Sequence, residues 1–159
     1  MSDPSTELPS TELHSDRNVV SFSPASRSSR NSPSESFENR QPPNNLEAER
    51  ALLGAMFLTS QAISDSLEEG LQRWHFYSPA HVRIFDAVSD LYQAGQPVGL
   101  VTVAEKLRSG EALKAVGGED ALIDIQASTP VAGHAAQYAR IVINHALLRR
   151  LIELSLIHI

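Results

Sequence analysis

Apolar residues are scattered singly through the first forty-odd positions, with Val19-Val20 the one pair, and then fall into helical register from Asn44 onward. Asn45 is placed to cap a first helix in which Glu47 and Glu49 occupy the dipole-favoured first turn and Leu46, Leu53 and Phe57 share a face, with Leu52 and Met56 beside it. Thr59-Ser60 breaks that helix, and a short second one over Gln61 to Glu69 offers Ile63 and Leu67, with Gly70 as its stop. After the aromatic run Trp74-His75-Phe76-Tyr77, Ser78-Pro79 opens a third helix to about Ala94: serine caps, and proline fits the first helical position. Val82, Phe85, Val88, Leu91 and Tyr92 recur there at three and four, with Gly95 and Pro97 as the terminator.

The rest of the body is a chain of shorter helices and one long one. Thr102 is expected to cap a helix over Val103 to Arg108, with Glu105 closing a capping box and Ser109-Gly110 ending it. A one- or two-turn helix over Glu111 to Val116 stops at Gly117-Gly118. The next, Glu119 to Ala127, presents Leu122, Ile123 and Ile125 and ends at Ser128-Thr129-Pro130. The last starts near Gly133 or His134 and carries two apolar stripes, Tyr138, Ile141, Val142, His145, Leu148 and Ile152 on one side and Ile143, Leu147 and Leu151 on another. Two stripes are more than a small domain covers, so one is expected to meet another subunit or the remainder of a longer chain. The pattern predicts an all-α fold of about six helices ending in a helical hairpin, with Leu53, Phe57, Phe76, Tyr77, Phe85, Leu91, Tyr138 and Ile141 in its core and Trp74 beside them. Ile143, Leu147 and Leu151, with Arg149 and Arg150, form the candidate interface; for the arginines the competing role is to complement the helix dipole.

Composition then separates the regions. Pro4, Pro9, Pro24, Pro33, Pro42 and Pro43 and many serines lie in the first 43 residues, which bury too little to offset their ordering entropy and read as a disordered tail. The folded domain is assigned to residues 44–153. With 159 residues, one core is expected. A net charge of −6 lacks the basic footprint of a phosphate-backbone binder. Cysteine is absent, which excludes disulfides and thiolate metal sites, and no apolar run is long enough to span a membrane, so a cytoplasmic protein is expected. Residues 154–159, Leu154-Ser155-Leu156-Ile157-His158-Ile159, are spelled by CTG TCT CTT ATA CAC ATC, which resembles the end sequence of a transposase-based sequencing adapter. The expectation is that these residues are non-native and that the gene's own frame continues past Glu153.

Catalytic motifs are missing from the sequence. There is no G-x-x-x-x-G-K-[ST] phosphate loop and no G-x-S-x-G nucleophile, and Gly117-Gly118 is a helix terminus rather than a dinucleotide turn. His75 and His81, and likewise His134 and His145, lack metal-ligand spacing; Glu68-Glu69 and Glu119-Asp120 sit at helix ends where carboxylates are ordinarily solvated. No catalytic residue, metal ligand or cofactor is assigned to this chain.

The order of segments carries a resemblance. Leu46-Glu47-Ala48-Glu49 with Leu53-Gly54 is followed by Phe76-Tyr77, His81 and Ile84-Phe85, by Gly95-Gln96-Pro97-Val98 with Leu100-Val101-Thr102, and by Val116-Gly117-Gly118. Thr129-Pro130, Tyr138-Ala139-Arg140-Ile141-Val142 and Leu147-Leu148-Arg149-Arg150-Leu151-Ile152 complete it. From about Pro43 to Glu153 the chain resembles the N-terminal domain of DnaB-type replicative DNA helicases, with Gly99 standing where the family usually has aspartate. The resemblance implies a helical head and a hairpin, here Glu119 to Ala127 against His134 to Ile152. It also implies a collar that pairs with copies of itself on a hexameric ring and docks primase and helicase loaders. ATP, magnesium and DNA would belong to a motor domain beyond this chain. The rival reading is a free-standing helical adaptor without helicase activity; a direct DNA-binding module is disfavoured by charge.

Overall fold

The computed structural model describes residues 41–157. The reading of the N-terminal segment as a disordered tail falls, for residues 1–40, outside the described residues, as do His158 and Ile159. The described body is all-helical: α1 (Leu46–Leu58), α2 (Ser60–Glu68), α3 (Pro79–Gln93), α4 (Leu100–Ser109), α5 (Gly118–Ala127) and α6 (Ala135–Ile157), with 3₁₀ turns at Arg73–His75, Lys114–Val116 and Ala132–His134. This is the six-helix all-α fold that the apolar periodicity predicts.

α1 is the central helix. Every residue from Ala48 to Phe57 except Arg50 is buried, because α2, α3, α5 and α6 all pack around it. Between Ala48 and Phe57 only Arg50 faces solvent, so the apolar residues Leu52, Leu53, Met56 and Phe57 are not confined to one stripe. Asn45 caps it as expected, its side-chain oxygen accepting the Ala48 N–H at 2.9 Å. The expected hairpin takes another form: α5 and α6 both lay their buried residues on α1, which is their principal partner, in place of packing chiefly on each other.

Gly54 lets α5 come that close. A Cβ at position 54 would lie 1.9 Å from Thr129 Oγ1 and 2.5 Å from the Ile125 carbonyl oxygen. Thr129 uses the gap to donate a hydrogen bond to the Ala51 carbonyl at 3.3 Å, fastening the end of α5 to α1.

Three helices end in the same way. After α2, Gly70 N–H donates to Leu67 and Leu71 N–H to the Ser66 carbonyl; after α3, Gly95 and Gln96 donate to Tyr92 and Leu91; after α4, Glu111 and Ala112 donate to Arg108 and Leu107. Each closure needs a left-handed residue, and Gly70 and Gly95 supply it with φ of 89° and 69°. After α4 the residue is Glu111, at φ 56°. That kink shortens the helix expected over Glu111 to Val116 to the 3₁₀ turn Lys114–Val116.

Other boundaries move for local reasons. α4 begins at Leu100 with Gly99 as its N-cap, so Thr102 is no cap but the third helical residue; its hydroxyl accepts the Gly99 N–H at 2.9 Å from inside the helix. Gly99 thus stands at the position where an aspartate side chain would cap. Ser78 precedes α3 but makes no side-chain cap bond. In the core, Leu53, Phe57, Phe76, Phe85 and Leu91 are buried, with the Phe76 and Phe85 rings 5.1 Å apart. Tyr77 and Tyr138 are half-buried, and Ile141, Leu67, Ile123 and Trp74 lie at the surface, contrary to their expected places inside.

Candidate functional site

Of the two apolar stripes expected on α6, only Val142 is fully buried in the core, with Tyr138 and Ile143 half-buried against it. The buried residues of α6 are Ala135, Ala139, Val142 and Ala146, a line of small side chains at four-, three- and four-residue spacing that seats the helix closely on α1 and α2. The stripes flank this line. On one side stand Ile143, half-buried against the core, then Leu147 and Leu151, 46% and 62% exposed; on the other stand Ile141, Leu148 and Ile152, of which the last two are 49% and 47% exposed. Arg150 and Leu154 share the face of Leu147 and Leu151 by helical spacing. From Leu147 to Ile157 no residue is buried, so the last three turns carry apolar surface on two sides.

Trp74 extends that surface. Its ring, 41% exposed, lies against the His75 ring at 4.1 Å, and its indole N–H donates to Gln72 Oε1 at 2.9 Å. The Arg150 guanidinium sits over the ring, 5.2 Å from its centroid. An exposed tryptophan covered on one face by an arginine is a partly apolar, partly cationic feature of the type enriched at protein interfaces.

Arg149 points the other way. One guanidinium nitrogen donates to the Pro43 carbonyl at 2.8 Å and the other to the His75 carbonyl at 2.9 Å, while its Cζ lies 5.3 Å from the Tyr77 ring centroid. Its expected roles, as an outward interface residue or dipole complement, give way to an inward contact across the fold. A second arginine anchors the start of α6: Arg140 makes a two-pronged contact to Glu69, at 2.9 and 2.8 Å, which holds the Glu69 carboxyl below the usual carboxylate range.

The segment after Trp74 is gripped from the other side by Glu49. This carboxylate, expected to be a first-turn dipole partner, is buried: it accepts the Tyr77 N–H at 2.9 Å and the Ser78 N–H at 3.3 Å and pairs with His81 Nδ1 at 2.9 Å. It holds, from α1, the backbone of the two residues just ahead of α3, where Ser78 itself makes no side-chain cap bond. His75 is buried with Nδ1 accepting the Gln72 N–H at 2.9 Å, which fixes its proton on Nε2. Burial, and then the Arg149 cation, push its pKa down from the ordinary imidazole value. Among the described residues no group of three His, Asp or Glu side chains converges as a metal site. No helix there is long and apolar enough to cross a membrane.

These features fit a helical domain whose organised surface is a helix face. The chain belongs to the family described as DnaB-like helicase N terminal domain, which matches residues 41–144. It is 46% identical over 121 residues to the replicative DNA helicase DnaB of Mycobacterium leprae, covering 76% of this chain and 20% of that protein. Over 120 residues it is 41% identical to the replicative DNA helicase DnaB of Geobacillus stearothermophilus, covering 76% of this chain and 26% of the relative. The chain thus spans between a fifth and about a quarter of these relatives. Its fold is similar to the crystal structure of the N-terminal domain of DnaB helicase from Mycobacterium tuberculosis, with a TM-score of 0.69 and 45% identity over 71% of this chain and 80% of that one.

The sequence concealed several of these residues for identifiable reasons. Glu49 and Arg149 look like solvated helix charges until distant backbone donors and acceptors are brought to them. The alanine line of α6 has a clear period, but larger side chains at the flanking positions mask it.

Proposed function

We propose that this chain is the collar and assembly domain of a replicative DNA helicase, acting in DNA replication in the cytoplasm. The uncovered second half of α6, with Leu147 and Leu151 on one face and Leu148 and Ile152 on the other, carries the reading. A domain that seats its last helix by alanines and leaves leucines outside is suited to burying them against another subunit. Each such leucine is worth roughly 1.5–3 kcal/mol when covered. The face Ile143, Leu147 and Leu151, with Arg150 and Trp74 at its edge, is the subunit contact, and the assembled tier presents a platform for primase and the helicase loader. ATP and magnesium act in a motor domain that follows, and DNA is handled there.

Reading the gene beyond the codon for Glu153 tests this. An in-frame G-x-x-x-x-G-K-[ST] segment is expected, and a native stop with no motor would leave a free-standing helical adaptor instead.

A further inference from the structure

Arg149 is the last residue of α6 that touches the body of the domain by hydrogen bond. Up to Ala146 the helix is held by burial; beyond it Arg149 alone is half-buried, and every other residue to Ile157 is exposed. Its two carbonyl acceptors come from places remote in the chain: Pro43, three residues ahead of α1, and His75, at the end of the 3₁₀ turn that leads to α3. The Tyr77 ring closes a third side. The same short segment is fixed from α1 by Glu49 through the Tyr77 and Ser78 amides, so the surface that receives Arg149 is itself rigidly backed.

We propose that Arg149 is a positioning residue, a clasp that sets the direction in which α6 leaves the body and ties that direction to the segment entering α1 at Pro43. Geometry makes this consequential. From Arg149 the helix runs on to Ile157, about 12 Å at 1.5 Å per residue, and a tilt of about 20° at the clasp swings the far end by about 4 Å. The planar fork is what allows one side chain to hold two carbonyls at once; a lysine ammonium on the same stem is a point donor. Arg150 lacks this reach: among the described residues it meets the exposed Trp74 ring and makes no hydrogen bond to a carbonyl. The entry to the domain and its exit therefore share one cation, and a displacement of either is transmitted to the other.

The absence of cysteine makes a distance measurement direct. Nitroxides are placed at Q61C on α2 and E153C on α6, both at exposed positions, and the labelled chain is diluted with unlabelled chain so that only intramolecular distances register. A second pair, Q61C and D120C, reports on the body alone. Wild type is expected to give a narrow Gln61–Glu153 distribution. Arg149→Ala and Arg149→Lys widen it by about twofold or more, Arg150→Ala leaves it narrow, and the body pair stays narrow in all. A distribution as narrow in Arg149→Ala and Arg149→Lys as in wild type overturns the clasp. So does equal broadening of the body pair, which would make Arg149 a general stabilising residue.

Discussion

A hydrogen atom is all that the space between α1 and Thr129 admits at position 54. Gly54→Ala gains about 1 kcal/mol of helix propensity, yet its methyl would meet a backbone carbonyl at 2.5 Å that cannot rotate away. The net expectation is a loss of about 1–3 kcal/mol, read as a lower urea midpoint at unchanged slope. His75 sets a pH dependence whose sign follows from its surroundings. Burial and Arg149 hold its pKa below the ordinary value of 6.5, so the unfolded chain takes up a proton at higher pH than the folded one. The stability from keeping the ring neutral is complete above about pH 6.5 and is lost as pH falls through the folded value. In His75→Asn, whose Oδ1 replaces Nδ1 as acceptor for Gln72 N–H, the unfolding free energy is expected to fall less over that acid range than in wild type. At this scale the sequence was legible where a residue acts on its neighbours, as Asn45 does on Ala48. It was opaque where Gly54, His75 or Glu49 acts on residues brought near by the fold.

At the scale of elements, turn chemistry explains both the agreements and the misses. Gly70 and Gly95 end their helices as read from sequence because glycine is the residue that a left-handed closure favours. The fourth helix stops at Ser109-Gly110 as read from sequence, but the left-handed residue of its closure is Glu111, which carries that conformation at a cost of about 1–2 kcal/mol. Glu111→Gly is therefore expected to raise stability by about 1 kcal/mol in thermal or chemical unfolding, an unusual sign for a substitution to glycine. Glu49 joins two elements and should behave oppositely. Glu49→Gln turns an amide nitrogen toward a backbone N–H and leaves His81 without its carboxylate, so a loss of about 3 kcal/mol is expected. A loss of under 0.5 kcal/mol in denaturant titration would show that the node is not holding α1 to α3. For α6, the helix and its excess of apolar surface were plain in the periodicity. The inward face was not, because three alanines and a valine bury less area than the leucines beside them while allowing the closest approach.

Across the whole molecule, α2, α3, α5 and α6 cover α1, and the last three turns of α6 are then left exposed apart from Arg149. Trp74 and Arg150 widen the bare region on one side, so the surface offered to a partner is larger than the leucine stripe alone. Sedimentation velocity of the 17.3 kDa chain over a range of concentrations tests this directly, with Leu147→Asp/Leu151→Asp as the comparison. Wild type is expected to sediment faster as concentration rises, and the double variant to remain at the monomer mass with its helical circular dichroism intact. A wild-type chain that stays monomeric at every concentration, or a double variant that associates as wild type does, would contradict the claim that this face of α6 is built for assembly.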